Sequence, residues 1–468
     1  MARLFISAAH KSSGKTTLSI GLCAAWQQQG LHIQSFKKGP DYIDPLWLTA
    51  ASQRNCHNLD FNTSSEHELL HCVQQYGHTA DLSLIEANKG LYDGLSLDGS
   101  DSNAALAKLL QAPVILVLDT RGMTRGIAPI LLGYLAFDRA VRIAGVILNR
   151  VGGSRHVAKL RQAVEHFTDL KVLGAVQESA ELKIEERHLG LMPSNEHQET
   201  ERHIARMRTL VADQVDLAQL VSIAQQAPAL PTRIQPPLLK SRQPIRHKLR
   251  IGICQDAAFG FYYPGDLEAL QQAGAELISI NTLQDTQLPD LDGLFIGGGF
   301  PETHMQQLAA NHSMRQAIHA AIEAGLPTYA ECGGLMYLAR SLKWNHQQAE
   351  MVGIIPGDAV MYPKPQGRGY VQLEETAAMP WPKTKMESEL VQAHEFHYSR
   401  LENLTVTGQG QYAYKVKRGQ GIDGEHDGWV YKNLLASYTH LRHTHRYPWA
   451  WRFMEFVRKQ TKQRRQAA

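Results

Sequence analysis

A Gly14-Lys15-Thr16 step stands between the apolar run Leu4-Phe5-Ile6 and a helical pattern over residues 17–29. Strand, small-residue turn and helix in that order leave little freedom. The backbone N–H groups of such a turn face an anion, and the helix dipole adds to them. Gly14, Lys15, Thr16 and Thr17 are therefore nucleotide-binding candidates, with Lys15 on the terminal phosphates and the Thr16 hydroxyl on Mg²⁺. The place where such loops usually carry their first glycine is Ala9 here. Further short apolar runs at 33–36, 82–85, 114–118 and 144–148 are each followed by a glycine-containing turn and a helical pattern. That alternation predicts a parallel sheet wrapped by helices.

The chain has 468 residues, which at roughly 100–200 residues per domain allows two to four domains. Four prolines at 228, 231, 236 and 237, then a basic cluster, mark a linker. The expected organisation is a first domain at 1–228, a linker at 229–248, a second domain at 249–458 and a fraying basic tail at 459–468. A second α/β pattern restarts at 249–253 and turns strand-rich after Met351, which predicts an antiparallel extension. With 48 basic against 45 acidic residues there is no basic excess of the kind nucleic-acid binders show. No apolar run approaches the ~18 residues needed to span a bilayer. Five cysteines without a C-x-x-C pair predict free thiols in a reducing, cytoplasmic compartment. The 22 histidines are the compositional oddity.

Carboxylates gather behind the first-domain strands. Lys37-Lys38-Gly39-Pro40-Asp41-Tyr42-Ile43-Asp44 follows the second strand, and Glu86 closes another at the carboxyl end, where α/β sheets bind ligands. Gly90-Leu91-Tyr92-Asp93-Gly94 comes next. Glu86 is a candidate metal ligand, and the Asp41/Asp44 pair beside two lysines suits either Mg²⁺-phosphate or a substrate carboxylate.

In the second half, Thr328-Tyr329-Ala330-Glu331-Cys332-Gly333-Gly334 reads as strand, tight turn and helix. Small residues on both sides of Cys332 suit a nucleophile elbow that exposes the thiol. The Gly297-Gly298-Gly299 loop offers free N–H groups to an oxyanion. A thiol nucleophile needs a histidine base, and the candidates are His394, His397, His440, His443 and His445. His440 is preferred because it closes the small-residue run Ala436-Ser437-Tyr438-Thr439.

These segments together resemble the cobyrinic acid a,c-diamide synthase family, ATP- and glutamine-dependent amidases of tetrapyrrole acetate side chains. In the first half the resemblance rests on residues 13–17, 36–45, 58–60, 90–94, 143–152 and 186–191. In the second it rests on Ala258-Phe259, Phe261-Tyr262-Tyr263-Pro264, 297–302, 331–337, 394–399 and 436–441. It implies an α/β protein: a P-loop, dethiobiotin-synthetase-like domain with a parallel sheet, and a class I glutamine amidotransferase-like α/β domain. It also implies ATP and Mg²⁺ at Gly14, Lys15, Thr16 and Thr17, with Glu86 and Asp44 as further metal ligands. Asn149, placed after a strand end, would face the adenine. Lys37, Asp41, Tyr42, Asp44 and Asp93 would organise the substrate. Cys332 would be the nucleophile, His440 its base, and Gly298 and Gly299 the oxyanion donors. A class I triad usually has a glutamate two residues after the histidine; Arg442 stands there, so a dyad is expected.

The implied partners are L-glutamine and a tetrapyrrole polycarboxylate, without nucleic acid or membrane, and with a homodimer as the assembly. Lys11 and Lys89 are departures that resemble the sirohaem amidase branch associated with dissimilatory sulfite reductase, where the chemistry would be the same. Lys11, Lys15, Lys37, Lys38 and Lys89 are expected in one pocket. Two other classes stay open on the residues alone: a P-loop ATPase switch without amidase activity, and a tetrapyrrole carrier that uses its histidines.

Overall fold

A computed structural model describes residues 1–179, 200–231, 248–383, 390–405 and 411–467, with a short backbone ladder at 186–187 and 190–191. The chain divides into two compact units, Met1–Pro236 and Pro237–Ala468. Residues 232–247 of the expected linker lie outside the described residues. So do the side chains of the 186–191 motif.

The first unit runs β1 (Arg3–Ala8), α1 (Lys15–Gln28), β2 (Ile33–Lys38), α2 (Ile43–Ser52), β3 (His57–Leu59), α3 (Glu66–Gly77), β4 (Leu82–Glu86) and α4 (Asn103–Leu109). It continues with β5 (Val114–Asp119), α5 (Ile127–Phe137), β6 (Ile143–Val151), α6 (Ser154–Phe167), β7 (Val172–Gln177), the ladder β8 (Glu186–Arg187) and β9 (Gly190–Leu191), α7 (Thr200–Gln214) and α8 (Leu217–Gln225). Seven strands form one sheet in the order β3-β2-β4-β1-β5-β6-β7. Every pairing in it is parallel. Helices cover it on both faces, so its strands read as continuous apolar runs such as Val114-Ile115-Leu116-Val117-Leu118, all buried. The chain leaves β1 for β2 on one side, and later crosses from β4 to β5 on the other. β1 is thus the switch point of the sheet, where a ligand crevice opens beyond the strand ends.

The second unit runs β10 (Leu249–Cys254), β11 (Phe259–Phe261), α9 (Pro264–Gln272), β12 (Ala275–Ile280), β13 (Gly293–Ile296), β14 (Gly298–Gly299), α10 (Met305–Ala310), α11 (His312–Glu323), β15 (Thr328–Glu331), α12 (Gly333–Leu338) and β16 (Ala339–Trp344). Then come β17 (Gln347–Glu350), β18 (Ile355–Met361), β19 (Gly367–Glu375), β20 (Val391–His397), β21 (Ser399–Glu402), β22 (Gln411–Arg418), β23 (His426–Tyr431), β24 (Leu434–Ser437) and α13 (Trp449–Ala467). Its nine-stranded sheet is ordered β12-β10-β13-β15-β24-β23-β22-β19-β20. The first five strands are parallel and the rest antiparallel, so the antiparallel extension predicted after Met351 is present.

The tail does not fray as expected. Residues 459–467 continue α13, with Thr461 buried and Arg464 Nη2 donating to the Asp292 carbonyl at 3.0 Å. Its polar composition hid the one face by which it docks. Further up this helix, Arg452 is fully buried; its Nη1 and Nη2 lie 2.5 and 3.1 Å from the two Glu375 carboxylate oxygens. Arg452→Met leaves that carboxylate buried without its cation and is expected to destabilise the second unit by about 3–5 kcal/mol. Denaturant unfolding of the full chain checks it; an unchanged second-unit transition would show the pair to be dispensable.

Candidate active sites

The phosphate-binding loop joins β1 to α1. Gly14 caps the helix at φ 88°, a conformation glycine adopts without strain, and a Cβ there would lie 2.2 Å from Asn149 Nδ2. Asn149 does not follow a strand end: it lies inside β6, and its Nδ2 donates to the Ser13 carbonyl at 2.8 Å. In this arrangement it braces the loop. Lys15 opens α1 and is buried. Burial and then the nearby Lys37 charge hold its pKa down to about 8, against the pull of Glu86, Asp44 and Asp93.

Parallel register places Lys37 of β2 directly beside Glu86 of β4. Lys37 Nζ lies 2.7 Å from Glu86 Oε1, 2.5 Å from Asp44 Oδ2 and 3.9 Å from Asp41 Oδ2. Burial alone would strip its proton, but these carboxylates overrule it and hold the pKa up. Lys37 is therefore not the open substrate cation expected from sequence; it is the buried centre of an acid cluster. Asp41 Oδ1 accepts the N–H groups of Ile43 and Asp44 and so caps α2; desolvation and the Asp44 charge push its carboxyl up. Tyr42, buried, is the residue before that helix, and Asp93 is exposed with Oδ2 accepting the Gly90 N–H at 2.8 Å.

Thr16 Oγ1 lies 2.8 Å from Glu86 Oε1 and 3.1 Å from Asp44 Oδ2. Hydroxyl and carboxylate oxygens are the donors a hard divalent cation takes, and Glu86 Oε2 is buried with no hydrogen-bond partner. Among the described residues no group of three or more His, Cys, Asp or Glu is placed to hold a metal by itself. That suits Mg²⁺, which is usually shared between one or two carboxylates and substrate phosphates. The residues therefore fit the ion, which Thr16, Asp44 and Glu86 would hold.

The five lysines do not form one pocket. Successive strand residues face opposite ways, so Lys38 leaves the Lys37 cluster and meets the charges of Asp60, Asp101 and Lys89. Lys11 and Lys89 are both exposed.

In the second unit β15 and β24 are parallel neighbours, with Glu331 opposite Ser437, and the Cys332 N–H donates to the Ser437 carbonyl at 2.7 Å. The loops leaving these strands therefore meet. Cys332 sits at φ 49°, ψ −100°, a strained conformation for a residue with a side chain, between strand and the six-residue α12. The elbow is real, but the cysteine is only 6% exposed, not the open thiol expected. His440 faces it: burial would lower the imidazole pKa, yet interactions with Cys332 and then Glu331 raise it to about 10. Asp427 fixes the segment between, accepting the Tyr438 and Thr439 N–H groups at 3.0 Å each.

The glycine loop lies against this pair. A Cβ on Gly298 would stand 2.7 Å from His440 Cε1. The Gly297 N–H is not free for an oxyanion, because it donates to the Tyr262 hydroxyl at 2.8 Å. Gly298 and Gly299 pair with β11 as a short strand.

The other candidate bases stand elsewhere. His394 stacks on His440 with centroids 5.0 Å apart, and burial, His440 and Arg442 hold its pKa well below the usual value. His397 stacks on Tyr438, and burial and then Arg442 push His443 down to about 3 while its Nδ1 accepts the Ala450 N–H. His445 is in the same segment after β24 as His443. The sequence reading also passed over a carboxylate: Glu331 Oε2 is 3.5 Å from His440 Nδ1, a neighbour the dyad expected from Arg442 does not include. Its signal was present but unread, in the residue directly before the nucleophile.

Cobyrinate a,c-diamide synthase from Magnetococcus marinus is 46% identical to this chain, over 94% of it and 93% of the relative. The enzymes of the same name from Archaeoglobus fulgidus and Listeria monocytogenes are each 38% identical over 94% of this chain, and over 94% and 96% of their own lengths. The chain belongs to the cobyrinate a,c-diamide synthase family. Two domain families also match: a CobB/CobQ-like glutamine amidotransferase domain over residues 250–447, and an AAA domain over residues 2–186. In this family member, then, the Lys15 loop belongs to a nucleotide-binding P-loop domain and Cys332 to a glutamine amidotransferase domain. No helix among the described residues is long and apolar enough to cross a membrane.

Lys15 sets a pH dependence. Above pH about 8 it is increasingly neutral, while a bound polyphosphate favours its charged form. ATP binding is therefore expected to take up a proton as pH rises from about 7 to about 9, and to weaken by up to about tenfold per pH unit above about 8. Calorimetric titration in buffers of different ionisation enthalpy measures both; a flat affinity without proton uptake would contradict the depressed pKa.

Proposed function

We propose that this chain is a carbon–nitrogen ligase that amidates the a and c acetate carboxylates of cobyrinate, with ATP and the side-chain amide of glutamine. One observation carries the reading: a single chain holds both a phosphate loop backed by an acid cluster and a Cys332–His440 pair, and relatives of that name match it along 94% of its length.

A carboxylate resists amidation because oxide is a poor leaving group. An acetate oxygen attacks the γ-phosphorus of ATP, the bond to ADP breaks, and an acyl phosphate results. This step needs positioning and charge neutralisation more than covalent help. Lys15 supplies positive charge at the phosphates; Asp41, Asp44 and Asp93 with Tyr42 position the substrate, and Lys37 holds the acids in place. Mg²⁺ on Thr16, Asp44 and Glu86 would supply further neutralisation of phosphate charge.

In the amidotransferase unit the Cys332 proton rests on His440, whose pKa is raised to about 10, and Sγ attacks the glutamine amide carbon. The Gly298 and Gly299 N–H groups receive the oxyanion. His440 then protonates the departing nitrogen, ammonia leaves, and water hydrolyses the thioester to glutamate. The ammonia attacks the acyl phosphate carbon and expels phosphate.

A second reading on the same chemistry, in which sirohaem is the acetate-bearing substrate, rests on the sequence departures at Lys11 and Lys89. Mass spectrometry of products from cobyrinate and sirohaem, tested side by side, separates the two: an amide on one and not the other assigns the substrate.

Cys332→Ser is expected to abolish glutamine-driven amidation and to keep amidation with added ammonium; loss of both would contradict the division of labour. Lys15→Ala is expected to lower amidation from either nitrogen source by at least about 10²-fold, the scale of lost transition-state charge stabilisation. Amidation that survives, or wild-type chain that releases no glutamate from glutamine, would favour a P-loop switch without amidase activity.

A further inference from the structure

Arg442 occupies the place, two residues after His440, where a carboxylate partner is expected, and its charge has the wrong sign. It is turned to other partners: the guanidinium carbon lies 4.2 Å from the Tyr263 ring centroid, and Nε is 3.9 Å from Asp266 Oδ1. A carboxylate nonetheless reaches the histidine from the other strand. Glu331 ends β15, is buried, and places Oε2 3.5 Å from His440 Nδ1. Its second oxygen is tied down. Oε1 accepts the Tyr329 hydroxyl in a short hydrogen bond and the Leu441 N–H at 2.9 Å. Both anchors stand next to the groups they serve: Tyr329 is two residues back on the same strand, and Leu441 is the residue after His440.

We propose that Glu331 is the third member of the glutaminase machinery, a positioning residue that holds Nδ1 of His440 and leaves Nε2 for Cys332. The proposal rests on the glutaminase reading of Cys332 and His440. With the Cys332 proton on His440, the imidazolium is balanced by a carboxylate whose Oε2 stands 3.5 Å from Nδ1. The ring plane is set from the other side by His394, stacked at 14° to it, with the His440 N–H bonded to the His394 carbonyl at 2.8 Å. The titratable and charged groups around His440 are thus Cys332, Glu331 and His394, with Arg442 and Asp266 beyond Tyr263.

Glu331→Gln keeps the shape and an acceptor for Leu441 while removing the charge. In the full chain, with ATP and tetrapyrrole present, it is expected to lower kcat for glutamine hydrolysis by up to about 10⁴-fold, the loss that the same change of an orienting acid causes in a Ser-His-Asp triad. KM for glutamine is expected within twofold, and amidation with ammonium is retained. A kcat within threefold of wild type would overturn the proposal. Tyr329→Phe keeps the charge and removes one anchor of the carboxylate, with an expected kcat loss of about five- to tenfold, the scale of one hydrogen bond, at unchanged KM. Should Glu331→Gln not fold, this variant decides, and an unchanged kcat overturns the proposal. Glutamine-driven amidation that survives in Cys332→Ser would instead overturn the glutaminase reading, and Glu331's role with it.

Discussion

Parallel strands bring all their carboxyl ends to one edge of a sheet, and Lys37, Glu86, Cys332 and His440 each stand at such an edge. In-register neighbours also project to the same side. Lys37 and Glu86 meet across β2 and β4 although 49 residues separate them, and Cys332 and His440 meet because β15 and β24 are adjacent. Neither site needs a long loop to reach its partner. Short strands set the register, and register sets the chemistry. A slip of one residue in β15 would turn Glu331 and Cys332 to the wrong faces together.

Charge then shapes the first site. A buried lysine ordinarily loses its proton, and buried carboxylates ordinarily gain one. Placing Lys37 against Asp44 and Glu86 holds the proton on the buried lysine. The local sum matters for the nucleotide: Lys15 and Lys37 face Asp41, Asp44, Glu86 and Asp93, so carboxylates outnumber lysines before any phosphate arrives. Mg²⁺ would offset that surplus where a polyphosphate enters, and the oxygens of Thr16, Asp44 and Glu86 suit it. A whole-chain charge of +3 says nothing of this.

The sequence made the strands of the first sheet legible because each is a short apolar run followed by a turn. The phosphate loop, the cysteine elbow and the preferred histidine were legible because each uses residue types that ordinary turns rarely combine. Side-chain partnership was not. Lys37 and Lys38 look alike in the chain, yet strand alternation sends one into the acid cluster and the other toward Asp60 and Asp101. Asn149 was placed beyond its strand because β6 runs on to Val151. The tail looked polar because its docked side is itself made of polar residues, Gln460, Thr461 and Arg464 among them. Glu331 went unread because the search for a carboxylate followed the chain past the histidine, whereas the partner comes across the sheet.

That last displacement has a physical logic. Glu331 and Cys332 are consecutive, and in an extended strand they would point to opposite faces. The positive φ of Cys332 breaks that alternation at the needed residue, so one short segment brings both acid and nucleophile to the same imidazole. The position after the histidine is then released from its usual duty. Arg442 takes it and binds Tyr263 and Asp266. Burial and this cation together press His394 and His443 toward their neutral forms, and among these histidines it is His440, next to Glu331 and Cys332, whose pKa is raised. A buried histidine that must carry charge among neutral neighbours needs a carboxylate beside it. The anchored Glu331 meets that condition, and it ties the glutamate's charge, not merely its shape, to the turnover of glutamine.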